Sequence, residues 1–451
     1  SLKKANLMNT LSILFVLPLL IIFSYLFDAF ARRTKFPAVI LLMITGIIVR
    51  ATANAYGYNE FDFIDNLIPV LGTIGLILIV LEGAVELEIS REKLPLILKG
   101  FLAALFILIA NIWALKWIFN FLFQMETNEA ILYAIPLSII SSAVAIPSAA
   151  SLLSKEREFV IYESTFSDIL GIMIFNYAIR QFESNQPLIG ASPLVSLGFQ
   201  ILGVIVISLA ITYVLFRLLQ QIDHHVKFFL ILALLILVYA FGKLFHLPAL
   251  MTIFIFGIFL SNVKSLLPQF LLKYLDIEQT EKGFHEFHIL TAESTFIVRT
   301  FFFLFFGFSI QILDFDSFSP IIYGLIIFLV MLILRYVYLS ATTFKLKPSS
   351  LVYMSPRGLI SILLFIQLKE ITFINTETSP IDERVLLIVI LSSMFIMLLG
   401  TLKKRTRDAT ILPEEEIENE HENDSVEVHF SPENHSEFDN NNQGENETDN
   451  P

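Results

Sequence analysis

The chain has no cysteine, only two tryptophans and few charges, at 16% of 451 residues. Without cysteine, neither disulfides nor thiolate metal sites can contribute to fold or chemistry. Charge is missing in blocks: apolar runs of about 18 residues or more recur along some 400 positions, each long enough for one helix to cross the hydrocarbon of a bilayer. Hydrophobic residues make up 55% of the chain, Phe alone occurs 44 times, and mean hydropathy is +0.73. A soluble domain averages about 45–50% apolar residues with few such runs. The composition therefore predicts an all-α polytopic membrane protein whose first partner is the lipid bilayer. The first apolar run is long enough to be a span, so no cleavable signal peptide is expected. No nucleophile–base set and no metal-ligand spacing among the eight His residues supports an enzyme, and nothing points to a nucleic-acid partner.

The net charge of −12 is also unevenly placed. Residues 413–451 hold 14 of the 42 acidic residues and none of the 30 basic ones. The organisation read from this is a transmembrane domain over 1–402, a basic juxtamembrane segment over 403–412 and an acidic, disordered cytoplasmic tail over 413–451. The tail is either a solvated extension or a docking segment for a cytoplasmic partner.

Thirteen spans are predicted, near 10–29, 36–53, 67–87, 96–123, 129–153, 158–179, 193–217, 226–242, 247–262, 288–311, 319–341, 349–368 and 385–402. With the C-terminus inside, cytoplasmic segments hold 19 basic residues and outside segments seven. This bias matches the positive-inside rule and puts the N-terminus outside.

An internal repeat is visible. K-F-P-A-V-I-L-L-M-I-T-G-I-I-V (35–49) matches H-L-P-A-L-M-T-I-F-I-F-G-I-F-L (246–260), with Pro37 and Pro248 each nine residues before Gly46 and Gly257. The same offset of 211 lays S-S-A-V-A-I-P-S-A-A (141–150) over V-Y-M-S-P-R-G-L-I-S (352–361). The paired spans are seven apart, so they enter the membrane from opposite sides. Inverted repeats of this kind are a feature of secondary transporters, whose site lies at the midplane between interrupted helices. Pro136 and Pro147 in the fifth span, and Pro356 and Gly358 in the twelfth, predict those two interruptions. The plainer reading of each is a simple kink.

Chemistry concentrates in E-S-T-F-S-D, residues 163–168. A carboxylate at a bilayer centre costs about 2.5–3.5 kcal/mol even on lenient scales. Ser164, Ser167 and Asp168 stand at i, i+3 and i+4, so three oxygen-bearing side chains share one helix face. Such a patch suits a small hard cation or a proton. Arg357 lies mid-span and needs a buried anion; Glu163, Asp168, Glu82, Glu86 and Glu293 are on offer. Glu163 paired with Arg357 would leave Asp168 for the ion and keep the site near neutral, with Asp168–Arg357 as the alternative pairing. Glu293 and Arg299 are six apart and so not an intrahelical pair. His224 and His225 fall in a cytoplasmic loop where they could sense pH. The run F-F-F-L-F-F-G-F (301–308) is expected to face lipid or a dimer contact.

Together these segments resemble the monovalent cation:proton antiporters of the sodium/proton exchanger superfamily over roughly residues 10–402. E-S-T-F-S-D resembles that family's E-S-x-x-N-D signature, S-P-R-G-L-I-S its L-R-G segment, and G-L-I-L-I-V-L-E-G-A-V-E-L-E (75–88) its third-span run. The resemblance implies a homodimer in the plasma membrane, with a dimerisation domain and a mobile core moving like an elevator. It implies that Asp168 carries cation and proton in turn, that Ser164 helps ligate the transported Na⁺ or K⁺, and that no cofactor is needed. Two departures stand out: Ser167 where the family has Asn, and S-S-A-V-A where it has T-D-P-V-A. Ser142 thus replaces a carboxylate, leaving Ser141, Ser142, Ser164 and Ser167 as hydroxyl ligands around a single free acid. The reading from these residues is one cation exchanged for one proton. The alternative is a transporter-like channel or sensor with a degraded site.

Overall fold

The structure, a computed structural model, describes pieces of residues 18–33, then residues 38–55, 62–87, 89–149, 152–184, 202–203, 205–214, 228–244, 249–263, 277–309, 318–342, 348–369 and 381–409. The acidic tail and the loop carrying His224 and His225 lie outside the described residues.

The main described helices are α1 (Ala38–Ala55), α2 (Asp62–Val85), α3 (Leu94–Phe123), α4 (Thr127–Ser138), α5 (Ser142–Ser148), α6 (Ser154–Glu183), α7 (Phe228–Leu244), α8 (Ala249–Ser261), α9 (Ile277–Ser309), α10 (Ser319–Thr342), α11 (Pro348–Tyr353), α12 (Leu359–Lys369) and α13 (Glu383–Ala409). No strand occurs among the described residues. Six helical stretches are long and apolar enough to cross a membrane by themselves, with shorter apolar helices between them. Helix α6 is not among the six. Its Glu156, Glu163, Ser164, Thr165, Ser167 and Asp168 are all buried in the protein, so lipid never meets them. The outer faces show the opposite pattern: Trp113, Trp117 and Phe121 of α3 and Leu325, Leu329 and Ile333 of α10 are exposed. Apolar side chains at that density on an outer face need a lipid cover.

Two groups of helices pack around the site. In one, α9 lies against α1 and α2, and α8 lies against α2 and α7. In the other, α3 packs on α4, α6 and α10, and α12 packs on α4. Helix α13 joins the second group, with Gly324 of α10 against Ile388 and Gly400 against Tyr353.

The repeat read from the sequence has a structural counterpart here. Offset by 211, α1 corresponds to α8 and α2 to the first two-thirds of α9, and helices of the two halves pack on each other: α1 on α9, α8 on α2. The shared glycine does the same work in both. A Cβ on Gly46 would fall 2.1 Å from the Leu304 carbonyl oxygen, and one on Gly257 would fall 2.6 Å from Ala84 Cβ. Gly307 completes the α1–α9 contact, since its Cβ would lie 2.2 Å from the Met43 carbonyl oxygen. Close backbone approach at small residues is how membrane helices gain packing without a hydrophobic driving force. Gly307→Val is therefore expected to destabilise the protein by about 3 kcal/mol, the high end for overpacking, because the obstacle is backbone. Thermal unfolding in detergent would show it; an unchanged midpoint would mean that the helices separate freely.

This contact also corrects the expectation for residues 301–308. Phe302, Phe303 and Phe306 are buried at 0–2% exposure, inside the chain's own helix packing. Glycines 46 and 307 draw α1 onto this run, and the aromatic rings fill the space beside the contact.

Candidate functional site

Both predicted interruptions are real breaks, and they cross. The first spans Ile139–Ser141 between α4 and α5, where Ile139 and Ser141 are extended. The second spans Met354–Gly358 between α11 and α12. At the crossing, the Ser141 N–H donates to the Pro356 carbonyl at 2.9 Å. A Cβ on Gly358 would come within 2.7 Å of Ser141 Oγ and 3.1 Å of Ser141 Cβ, so glycine leaves room for the crossing. Ser141 and Pro356, which meet here, are 215 apart, whereas the repeat's offset of 211 sets Ser141 against Val352.

Irregular backbone survives inside a membrane protein only when every polar group finds a partner. Three successive N–H groups of the first break are met from outside: Ile140 by Ser167 Oγ at 3.0 Å, Ser141 by Pro356, and Ser142 by Asp168 Oδ2 at 3.0 Å. Carbonyls freed at both breaks go to arginines. Arg357 Nε donates to Leu137 O at 2.7 Å and Nη1 to Ser355 O at 3.2 Å. Arg335 donates to Leu351 O at 2.8 Å and Met354 O at 3.1 Å. Cations at the C-terminal ends of the half-helices α4 and α11 also complement their dipoles. Ser393 Oγ of α13 takes the Arg357 N–H at 2.9 Å.

The charge pairing differs from the sequence expectation. Glu163 is bound not by Arg357 but by Arg335, with Oε1 2.5 Å from Nη1 and Oε2 2.8 Å from Nη2, both side chains 1% exposed. Physically, Arg357 is held by backbone carbonyls and the Met331 sulfur, while Arg335 reaches Glu163 from α10 with both arms of its fork. Arg357 still lies within electrostatic reach of Arg335 and Glu163. Sequence reasoning misses Arg335. The available signal is a lone arginine in S-P-I-I-Y-G-L-I-I-F-L-V-M-L-I-L-R, an apolar run where a charge is costly.

The candidate oxygen ligands lie close together but are not equally available. Asp168 is buried, with Oδ2 on the Ser142 N–H and Oδ1 without a partner. Ser141 Oγ is likewise buried and unpartnered. Ser167 Oγ holds the Ile140 N–H, and the Ser164 hydroxyl donates to Val160 O at 2.7 Å. Glu82 of α2 meets Arg299 of α9 at 3.5 Å. Glu86, one turn on from Glu82, is half-buried and within electrostatic reach of Arg299, and Glu293 is exposed on α9.

A family model described as "Sodium/hydrogen exchanger, transmembrane" matches residues 19–403. No curated protein matches the sequence. Among solved structures, the sodium/proton antiporter MjNhaP1 from Methanocaldococcus jannaschii at pH 8 is 20% identical and superposes with a TM-score of 0.64, covering 87% of this chain and 96% of that one. A second structure of that antiporter, from electron microscopy, is 18% identical with the same TM-score over 88% and 96%. At these identities the likeness is one of fold.

Proposed function

The chain belongs to the sodium/hydrogen exchanger family, and from that premise we propose that it exchanges one Na⁺ or K⁺ for one H⁺, both carried in turn by Asp168. As a member it is a multi-pass integral membrane cation:proton antiporter and not an enzyme; the ions are its substrates and no cofactor takes part. The observation that carries the reading is the Asp168 carboxylate, buried at the crossing of two broken helices with Oδ1 left open. Oδ1 and Ser141 Oγ are the oxygens open to a cation, and the neighbouring hydroxyls of Ser142, Ser164 and Ser167 complete its surroundings. The likeness to a sodium/proton antiporter favours Na⁺ as one of the ions.

Charge balance supports a one-for-one cycle. Glu163 and Arg335 neutralise each other, which leaves Arg357 and Asp168. Loading Asp168 with either H⁺ or a monovalent cation adds one positive charge, so the two loaded forms carry the same charge. Exchange between them moves no net charge across the membrane. The rate is bell-shaped in pH, because Asp168 must be protonated on one side and free on the other. A homodimer in the plasma membrane, C-terminus inside, with the α3–α6 and α10–α13 group moving against the α1, α2 and α7–α9 group, fits the two-group packing and the basic-residue bias.

Ser142 sets the strength of cation binding. A charge-assisted contact is worth about 1.5–3 kcal/mol, so a second carboxylate at this position lowers the KM for Na⁺ about tenfold. Proteoliposome flux with Ser142→Asp tests this. An unchanged or higher KM would place the cation away from the α5 N-terminus. Flux with no coupling to protons would favour the channel reading instead.

A further inference from the structure

Helix α5 contains Pro147, which has no N–H to give the carbonyl four residues earlier, that of Ala143. That carbonyl is taken by Arg299 Nη1 at 2.7 Å, from α9 in the other helix group. Arg299 Nη2 faces Glu82 Oε2 at 3.5 Å, so the guanidinium bridges a carboxylate on α2 and a backbone oxygen on α5. Ala143 follows Ser142, whose N–H holds Asp168. The chain of interactions thus runs Glu82, Arg299, Ala143 O, Ser142 N–H, Asp168.

We propose that Arg299 is a positioning residue for the exchange reaction: it replaces the helical donor missing at Pro147 and so fixes the half-helix that presents its N-terminus to Asp168. The inference rests on Asp168 being the ion carrier. It assigns Arg299 a task beyond neutralising Glu82. The 2.7 Å hydrogen bond is the shorter of its two interactions, and only the carbonyl bond leads to the ion site. Without that bond, α5 has one carbonyl unmet and the Ser142 N–H is free to drift from the carboxylate. The cation site then loosens while the proton-accepting group remains.

The test is a rescue. Arg299→Met is expected to raise the KM for Na⁺ about tenfold, as removal of a charge-assisted hydrogen bond would, with kcat changed less than twofold. Pro147→Ala restores an N–H for Ala143 O; alone it is expected to stay within about twofold of wild type, and combined with Arg299→Met it should bring the KM back to within about threefold. Glu82→Gln, which removes the ion pair but leaves the carbonyl bond, should shift KM less than Arg299→Met. If the double variant is no better than Arg299→Met, or if Glu82→Gln reproduces the whole defect, Arg299 serves only the ion pair and the proposal is wrong. Should Arg299→Met not fold, the recovery of folded protein in the double variant is the readout, and its absence overturns the proposal equally. Asp168→Asn measured alongside separates the two ideas: retained exchange there removes the carrier assignment, while the rescue speaks to the Arg299–Ala143 link.

Discussion

Asp168→Asn is expected to bring cation-dependent proton flux down to that of empty liposomes while the protein still inserts and unfolds at no lower a temperature. The two halves of that result have separate causes. Asn cannot take up and release a proton in the working range, so it cannot alternate between loads, and transport stops. It is also nearly the shape of Asp and can still accept the Ser142 N–H through its amide oxygen. Replacing a buried carboxylate whose Oδ1 has no protein partner removes a desolvated charge, which favours folding or leaves it level. Flux would be read with a pH-sensitive dye in proteoliposomes, and stability by a melt of the same preparation. Proton flux retained in the variant would move the carrier elsewhere; a collapsed fold would mean that Asp168 is part of the scaffold.

The second large effect concerns stability and falls on Glu163 and Arg335. Breaking a buried ion pair by removing one partner costs about 3–5 kcal/mol, because the other charge is left desolvated and alone. Glu163→Gln and Arg335→Met are each expected to lower the unfolding midpoint sharply. Arg335→Met should be the worse of the two, since Leu351 O and Met354 O lose their donor as well. Removing both partners should cost much less than the sum of the single losses, because no charge is then stranded. Arg357 offers the contrast: the coupling between Arg357→Met and Glu163→Gln should be much weaker than that between Arg335→Met and Glu163→Gln. Strong coupling of Glu163 to Arg357, with none to Arg335, would overturn the Glu163–Arg335 pairing.

Much of this molecule is legible in the sequence, and the reasons are local. Apolar runs mark the spans because lipid tolerates no unmet backbone outside a helix. Pro136, Pro147 and Pro356 mark broken helices because each removes a donor. Asp168 announces itself as a carboxylate where one is costly. What stays hidden depends on how helices pack. Glu163 needs a cation, and Arg357 and Arg335 both lie in apolar spans; only the reach of Arg335 from α10 to Glu163 on α6 in the fold decides between them. The offset of 211 holds for the helices carrying Gly46 and Gly257, whereas the residues that meet at the crossing, Ser141 and Pro356, are 215 apart, because which residues touch there depends on how the two half-helices pack. The aromatic run at 301–308 reads as outward because it is apolar all round, and apolarity does not distinguish lipid from a tightly packed neighbour. The Arg299–Ala143 bond combines both kinds of information. Pro147 announces the orphaned carbonyl, and only the fold shows which side chain fills it.

The central claim is that one carboxylate carries cation and proton by turns without moving net charge. It is tested most directly by measuring Na⁺ and H⁺ flux together in sealed proteoliposomes while the membrane potential is clamped at different values with K⁺ and an ionophore. The expected result is one proton moved for each Na⁺, at a rate that does not change with the potential. A ratio other than one, or a rate that follows the potential, would contradict it.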